Sequence, residues 1–90
     1  MTVILSAKAS RQLEVLLDYL ETKWSSRLRR IFQRRLNLSI QALKVIPQGF
    51  PESVRFPGYR KCVVTPQTSL IYRLNGDIIE IVTILYARQE

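Results

Sequence analysis

The chain has no histidine, a single cysteine and a single tryptophan. Without histidine, any catalysis falls to Arg, Lys, Tyr, Ser or carboxylate side chains. The lone Cys62 excludes an internal disulfide and suits a reducing compartment, so a cytoplasmic location is expected. One thiol and no imidazole supply no soft ligand set, so neither a metal nor a cofactor is expected. No apolar run approaches the ~18 residues of a membrane span, so no membrane partner is expected. The opening Met1–Ser6 stretch lacks the length and basic flank of a signal peptide. Repeats and low-complexity segments are absent. The most informative gap is one sign of charge: from Thr22 to Pro51 there is no acid but seven bases, Lys23, Arg27, Arg29, Arg30, Arg34, Arg35 and Lys44.

What is present points to one folded domain over residues 1–90. An apolar content of 47% argues against disorder. A chain this short buries roughly 60–65% of the surface it exposes when unfolded. That supports one core and leaves little room for a deep pocket, so function is expected on an open face. Clustered like charges do not help a small domain fold. An anionic counterpart, a nucleic acid or an acidic protein, explains them better.

Thr2 to Leu5 reads as a first strand, and Ser6 is placed to cap a helix. Ala9, Leu13, Leu16, Leu17, Leu20 and Trp24 recur at helical spacing, which predicts a buried stripe with Trp24 closing its end. Glu14, Asp18 and Glu21 share one flank. Ser25 or Ser26 caps a second helix, whose apolar stripe is Leu28, Phe32, Leu36, Ile40 and Leu43. Arg27, Arg30, Arg34, Asn37 and Gln41 fall opposite that stripe. The helices therefore form an antiparallel hairpin, greasy on one side and basic on the other. Pro47, Gly49, Pro51, Pro57 and Gly58 end the second helix near Ile46 and predict a loop. Three strand-like runs follow: Tyr59–Thr65, Leu70–Leu74 and Ile78–Leu85. Pro66-Gln67-Thr68 and the hairpin signal Asn75-Gly76 separate them. The last run is apolar on both alternations, which places it centrally in a sheet or under a covered second face. The predicted fold is α+β, ordered β-α-α-β-β-β, with the helical hairpin packed on one face of an antiparallel sheet.

With these landmarks the chain resembles the RelE/ParE superfamily of toxins from bacterial type II toxin–antitoxin systems. Leu43 followed by Pro47-Gln48-Gly49-Phe50-Pro51 is similar to the family's helix exit. Tyr59-Arg60-Lys61 resembles its basic second strand and Leu70-Ile71-Tyr72-Arg73 its aromatic third strand. Gly76-Asp77-Ile78-Ile79-Glu80-Ile81 followed by Arg88 resembles its last strand and terminal arginine. The resemblance implies a small basic cytoplasmic toxin held silent by a cognate acidic antitoxin. Operator DNA would then be met only through that antitoxin. It also implies one of two targets: DNA gyrase for ParE-like members, or the ribosomal A site and its mRNA for RelE-like members.

RelE-like cleavage needs no metal. It places basic groups on the open sheet face to stabilise charge developing on a phosphate. By the resemblance, Arg60 falls on the family's first catalytic lysine position and Arg88 on its terminal arginine. Cys62 and Ser69 occupy two positions that are basic in the family, and only Tyr86 is available in place of a terminal tyrosine. These departures lean toward the ParE side. Three functions follow: a toxin that docks on a gyrase-type target, a metal-independent mRNA endonuclease using Arg60, Arg88 and Tyr86, or an inactive basic binding or corepressor subunit. The residues expected to meet a partner are Arg27, Arg30, Arg34, Asn37, Gln41 and Arg73. The alternatives are solvation of an exposed face for the helical arginines, pairing with Glu14, Asp18 or Glu21, and edge-strand protection for Arg73 and Arg88. Arg60 and Lys61 point to opposite sides of a strand, so at most one serves a given face. Cys62, Tyr59 and Tyr72 are expected to pack.

Overall fold

The structure, a computed structural model, describes residues 1–87. The elements run β1 (Thr2–Leu5), α1 (Ala7–Lys23), α2 (Ser26–Val45), β2 (Arg60–Thr65), β3 (Thr68–Asn75) and β4 (Ile78–Tyr86). Ser6 caps α1: its Oγ accepts the Ala9 N–H at 3.0 Å. The same hydroxyl donates to the Val82 carbonyl at 2.8 Å, which fastens the helix start to β4. Ser25 caps α2, accepting the Leu28 N–H at 3.1 Å. Ser26 already lies in the helix and donates to Glu21 at 3.1 Å. Between the helices the Trp24 and Ser25 N–H groups both donate to the Leu20 carbonyl, so the chain reverses within two residues.

The sheet order is β1-β4-β3-β2. The β2–β3–β4 meander is antiparallel, as its turn chemistry predicts. β1, however, pairs parallel to β4, so the sheet is mixed and not wholly antiparallel. A parallel neighbour requires a long crossover, and the two helices with the rest of the meander supply it. β4 lies between β1 and β3, and an unpaired residue at Val82 shifts its phase, so Ile79 and Ile81 before the bulge and Ile84 after it all join the core despite falling on both alternations. The hairpin packs on one sheet face. Leu16 and Leu20 of α1, and Phe32, Leu36 and Leu43 of α2, meet Leu70, Tyr72, Ile79, Ile81 and Ile84.

Two local expectations are corrected. Trp24 does not close the core: it is 63% exposed. α1 ends at Lys23, and Trp24 takes a non-helical cap conformation that swings it off the stripe. The β3–β4 turn is centred on Gly76-Asp77, because Asn75 still pairs with Ile78. Gly76 has φ +61 while Asp77 does not have positive φ, the pattern of a type II′ turn. The loop after α2 folds back on β2: the Ser53 N–H donates to the Tyr59 carbonyl and the Lys61 N–H to the Pro51 carbonyl.

Candidate binding surfaces

The exposed side of α2 is cationic. Arg27, Arg30, Arg34, Asn37 and Gln41 are all exposed, on the side of the helix away from buried Phe32, Leu36 and Leu43. Of the helix's arginines only Arg29 finds an acid among the described residues. It donates to Glu21 across the hairpin, and with Ser26 it holds that carboxyl below its ordinary range. The flank of Glu14, Asp18 and Glu21 therefore leaves most of the α2 charge unneutralised. Leu38 and Val45, seven residues apart and so on one side of the helix, stand beside these arginines at 66% and 78% exposure. Sequence periodicity missed this second apolar strip because it lies off the core stripe.

Strand phase decides which β2 residue reaches which face. Arg60 sits opposite Tyr72 in the ladder and on the same alternation as buried Cys62 and Val64. Its Nη1 donates to the carbonyl oxygens of Phe50 at 2.6 Å and Gln48 at 3.3 Å. Arg60 is thus turned to the hairpin side, where it fastens the loop that leaves α2, and is not on the open sheet face as expected. Lys61 takes the open face, on the alternation of Ser69, Ile71 and Arg73. Burial pushes the Cys62 thiol above its ordinary range. Arg73 donates to Glu80 at 2.8 Å, and that bond raises its own pKa. Tyr86 meets Tyr19 of α1 edge-to-face, with ring centroids 6.0 Å apart. It stands opposite Thr68 in the ladder. Thr68 lies about 13 Å along β3 from the Tyr72 position that faces Arg60. Arg88 lies outside the described residues. Arg60 and Tyr86 are therefore not brought together.

Depressions flank the sheet. One, of about 550 Å³, lies between α1 and β4, with Lys8 and Arg11 at its rim and Val15, Tyr19 and Ile84 in its walls. Another, of about 530 Å³, lies by the β2–β3 turn and holds Arg55, Lys61, Gln67 and Ser69. The Arg55 guanidinium stands 5.4 Å from the Phe56 ring centroid, a cation–π contact. Among the described residues, no three potential metal ligands cluster. No helix is long and apolar enough to cross a membrane.

Two helices on one face of a four-stranded mixed sheet is a fold shared with solved RelE/ParE toxins. Over 98% of its length the chain superposes on 97% of a chain of the chromosomal ParDE toxin–antitoxin system of P. aeruginosa, with a TM-score of 0.77 at 21% identity. It also covers all of a YoeB/ParE toxin from Agrobacterium tumefaciens with 98% of its own length, at a TM-score of 0.69 and 17% identity. In the DinJ–YafQ complex of E. coli, 93% of the chain matches 90% of the solved chain at a TM-score of 0.62 and 15% identity. No curated protein matches the sequence. The family model for the ParE toxin of the type II toxin–antitoxin system parDE matches residues 3–90, and the chain belongs to that family. It is a type II toxin.

Proposed function

We propose that this toxin arrests growth by docking on a gyrase-type target and not by cutting mRNA, and that a cognate acidic antitoxin silences it in the cytoplasm. One observation carries the choice of target. The residues that would have to converge for RNA cleavage are dispersed: Arg60 is held by loop carbonyls, Cys62 is buried, and Tyr86 stands at the other end of the sheet. Docking needs no such cluster. The unneutralised cations of α2 support an acidic partner, whose approach they would steer electrostatically. The complexes of relatives point the same way: the E. coli structure pairs DinJ with YafQ, and a Staphylococcus aureus structure pairs YoeB with YefM.

Two assays with purified protein test the reading. Supercoiling by gyrase should be inhibited, while mRNA in a translating extract stays intact at protein excess. Cleaved mRNA with unimpaired gyrase would overturn it. Replacing Arg27, Arg30 and Arg34 together with Ala should leave the thermal midpoint nearly unchanged, since exposed substitutions shift stability by about 0.5 kcal/mol or less each. It should weaken the antitoxin complex and flatten its salt dependence. Unchanged affinity would move that interface to the sheet.

A further inference from the structure

α2 carries a second stripe besides the one it buries. Leu28, Ile31, Arg35, Leu38, Ala42 and Val45 follow one another at alternating spacings of three and four residues. That is the a/d pattern of a coiled-coil seam. At 3.6 residues per turn the seam lies roughly 110° round the helix from Phe32, Leu36 and Leu43. None of it is buried: Leu38 and Val45 stand at 66% and 78% exposure and Leu28 at 39%, while Ile31 is half-buried. From Leu28 to Val45 it runs for roughly 26 Å, at 1.5 Å per residue.

At its start, Leu28, Ile31 and Arg35 line a further depression of about 340 Å³, shared with Thr65–Thr68 of the β2–β3 turn. Arg27 and Arg34 flank the seam at heptad g positions, and Arg35 interrupts it at an a position. All three arginines are exposed, and none pairs with an acid among the described residues. A single charge inside a seam selects which helix can pair with it and in what register. Here it selects against a second copy of this chain, which would bring the same arginines and a net charge of +7. It favours a helix with acids beside an apolar stripe. Anchors three and four residues apart match a helix, whereas an extended strand repeats every second residue.

We propose that the toxin's gyrase-type target docks on this seam through an amphipathic helix. The inference rests on the docking reading above. The apolar stripe of that helix meets Leu28, Leu38 and Val45, and its carboxylates meet Arg27, Arg34 and Arg35. Charge steers such an encounter, but desolvated apolar anchors hold it. Leu38, in the middle of the seam, supplies one anchor. The depression beside Leu28 receives another from the partner.

The test uses the full chain, purified gyrase and a supercoiling assay. L38E and V45E alter exposed side chains, so both should keep the wild-type circular dichroism spectrum and thermal midpoint. Each should raise the toxin concentration for half-inhibition at least about tenfold. V54D removes a valine that is 98% exposed in the loop after α2. It should move that concentration less than about twofold. Photo-crosslinkers replacing Leu38 and Val45 in turn should join target residues roughly seven apart on one helix. If L38E and V45E inhibit as the wild type does, the seam is not the target's site, while the docking reading stands. A fall in their antitoxin affinity would then hand the seam to the antitoxin. If V54D fails as badly as they do, the loss is not specific to the seam and the proposal is overturned. Cross-links to a strand or loop refute the helical occupant. If the wild type leaves supercoiling untouched, the docking reading falls and takes this inference with it.

Discussion

Replacing Tyr72 with Phe removes one oxygen from the centre of the molecule. Tyr72 is fully buried, and its hydroxyl donates to the Pro47 carbonyl at 2.5 Å. Its ring meets Phe50 edge-to-face at 6.4 Å. The two contacts hold the loop leaving α2 against β3. Phe keeps the ring contact and strands the Pro47 carbonyl, at a cost of about 1–2 kcal/mol. For a domain this small that corresponds to a thermal midpoint roughly 4–16 °C lower. Burial also pushes the phenol up to about 12 from 10.0, against a weaker opposing pull from Arg60. The folded state therefore favours the neutral form. That contribution is complete below pH 10 and is lost as pH rises toward 12, to a total of roughly 2–3 kcal/mol. Y72F has no such group to lose. The two stability curves should converge in alkali and cross near pH ~11, above which the variant is the more stable. Urea titrations at intervals from pH 7 to 12, read by circular dichroism, measure both curves. Equal stability at neutral pH, or parallel curves up to pH 12, would refute the argument.

Arg60→Gln should lower the urea midpoint by the equivalent of about 1–2 kcal/mol, because two carbonyls of the loop lose a charged donor; an unchanged midpoint would contradict its bracing role. Gly76→Ala should cost about 1–2 kcal/mol in a denaturant titration. At φ +61 a Cβ meets no atom within 4 Å, so the whole loss comes from the backbone. Cys62 should resist iodoacetamide at pH 8 in the folded protein and react readily in urea, since it is 1% exposed and its thiol is pushed up by burial. Rapid native labelling, followed by mass spectrometry, would contradict that placement.

Local chemistry made much of the fold readable before any coordinates. Ser6 and Ser25 each precede a helical stripe and each caps its helix. The apolar residues on both alternations of Ile78–Leu85 offered a central strand or a covered second face, and the strand is central. The failures came where distant partners decide. The parallel pairing of β1 with β4 has no local signal, because it joins segments separated by most of the chain. Trp24 fits the helical spacing but lies one residue past the helix end, where that spacing no longer applies. The site suffered most on β2. Arg60 and Lys61 are equally basic, and alternation alone shows that they diverge without saying which one faces the hairpin. Only the pairing of Arg60 with Tyr72, and the carbonyls of the returning loop, settle their phase. The groove beside β4 was invisible because Gln12, an unremarkable polar residue in the sequence, reaches a backbone amide 72 positions away.

The central place of β4 has a consequence for when this protein becomes dangerous. The helical hairpin is synthesised before β4, yet the greasy side of α1 rests on β4 with its Ile79, Ile81 and Ile84. Even β1 has no neighbour in the sheet until Ile78–Ile81 exist. Contacts so remote in sequence form late and slowly. A nascent chain halted anywhere before residue 78 thus lacks the middle of its own core. The cell meets no working poison until β4 has been made and has joined the sheet, which leaves an inhibitor made beforehand time to be waiting.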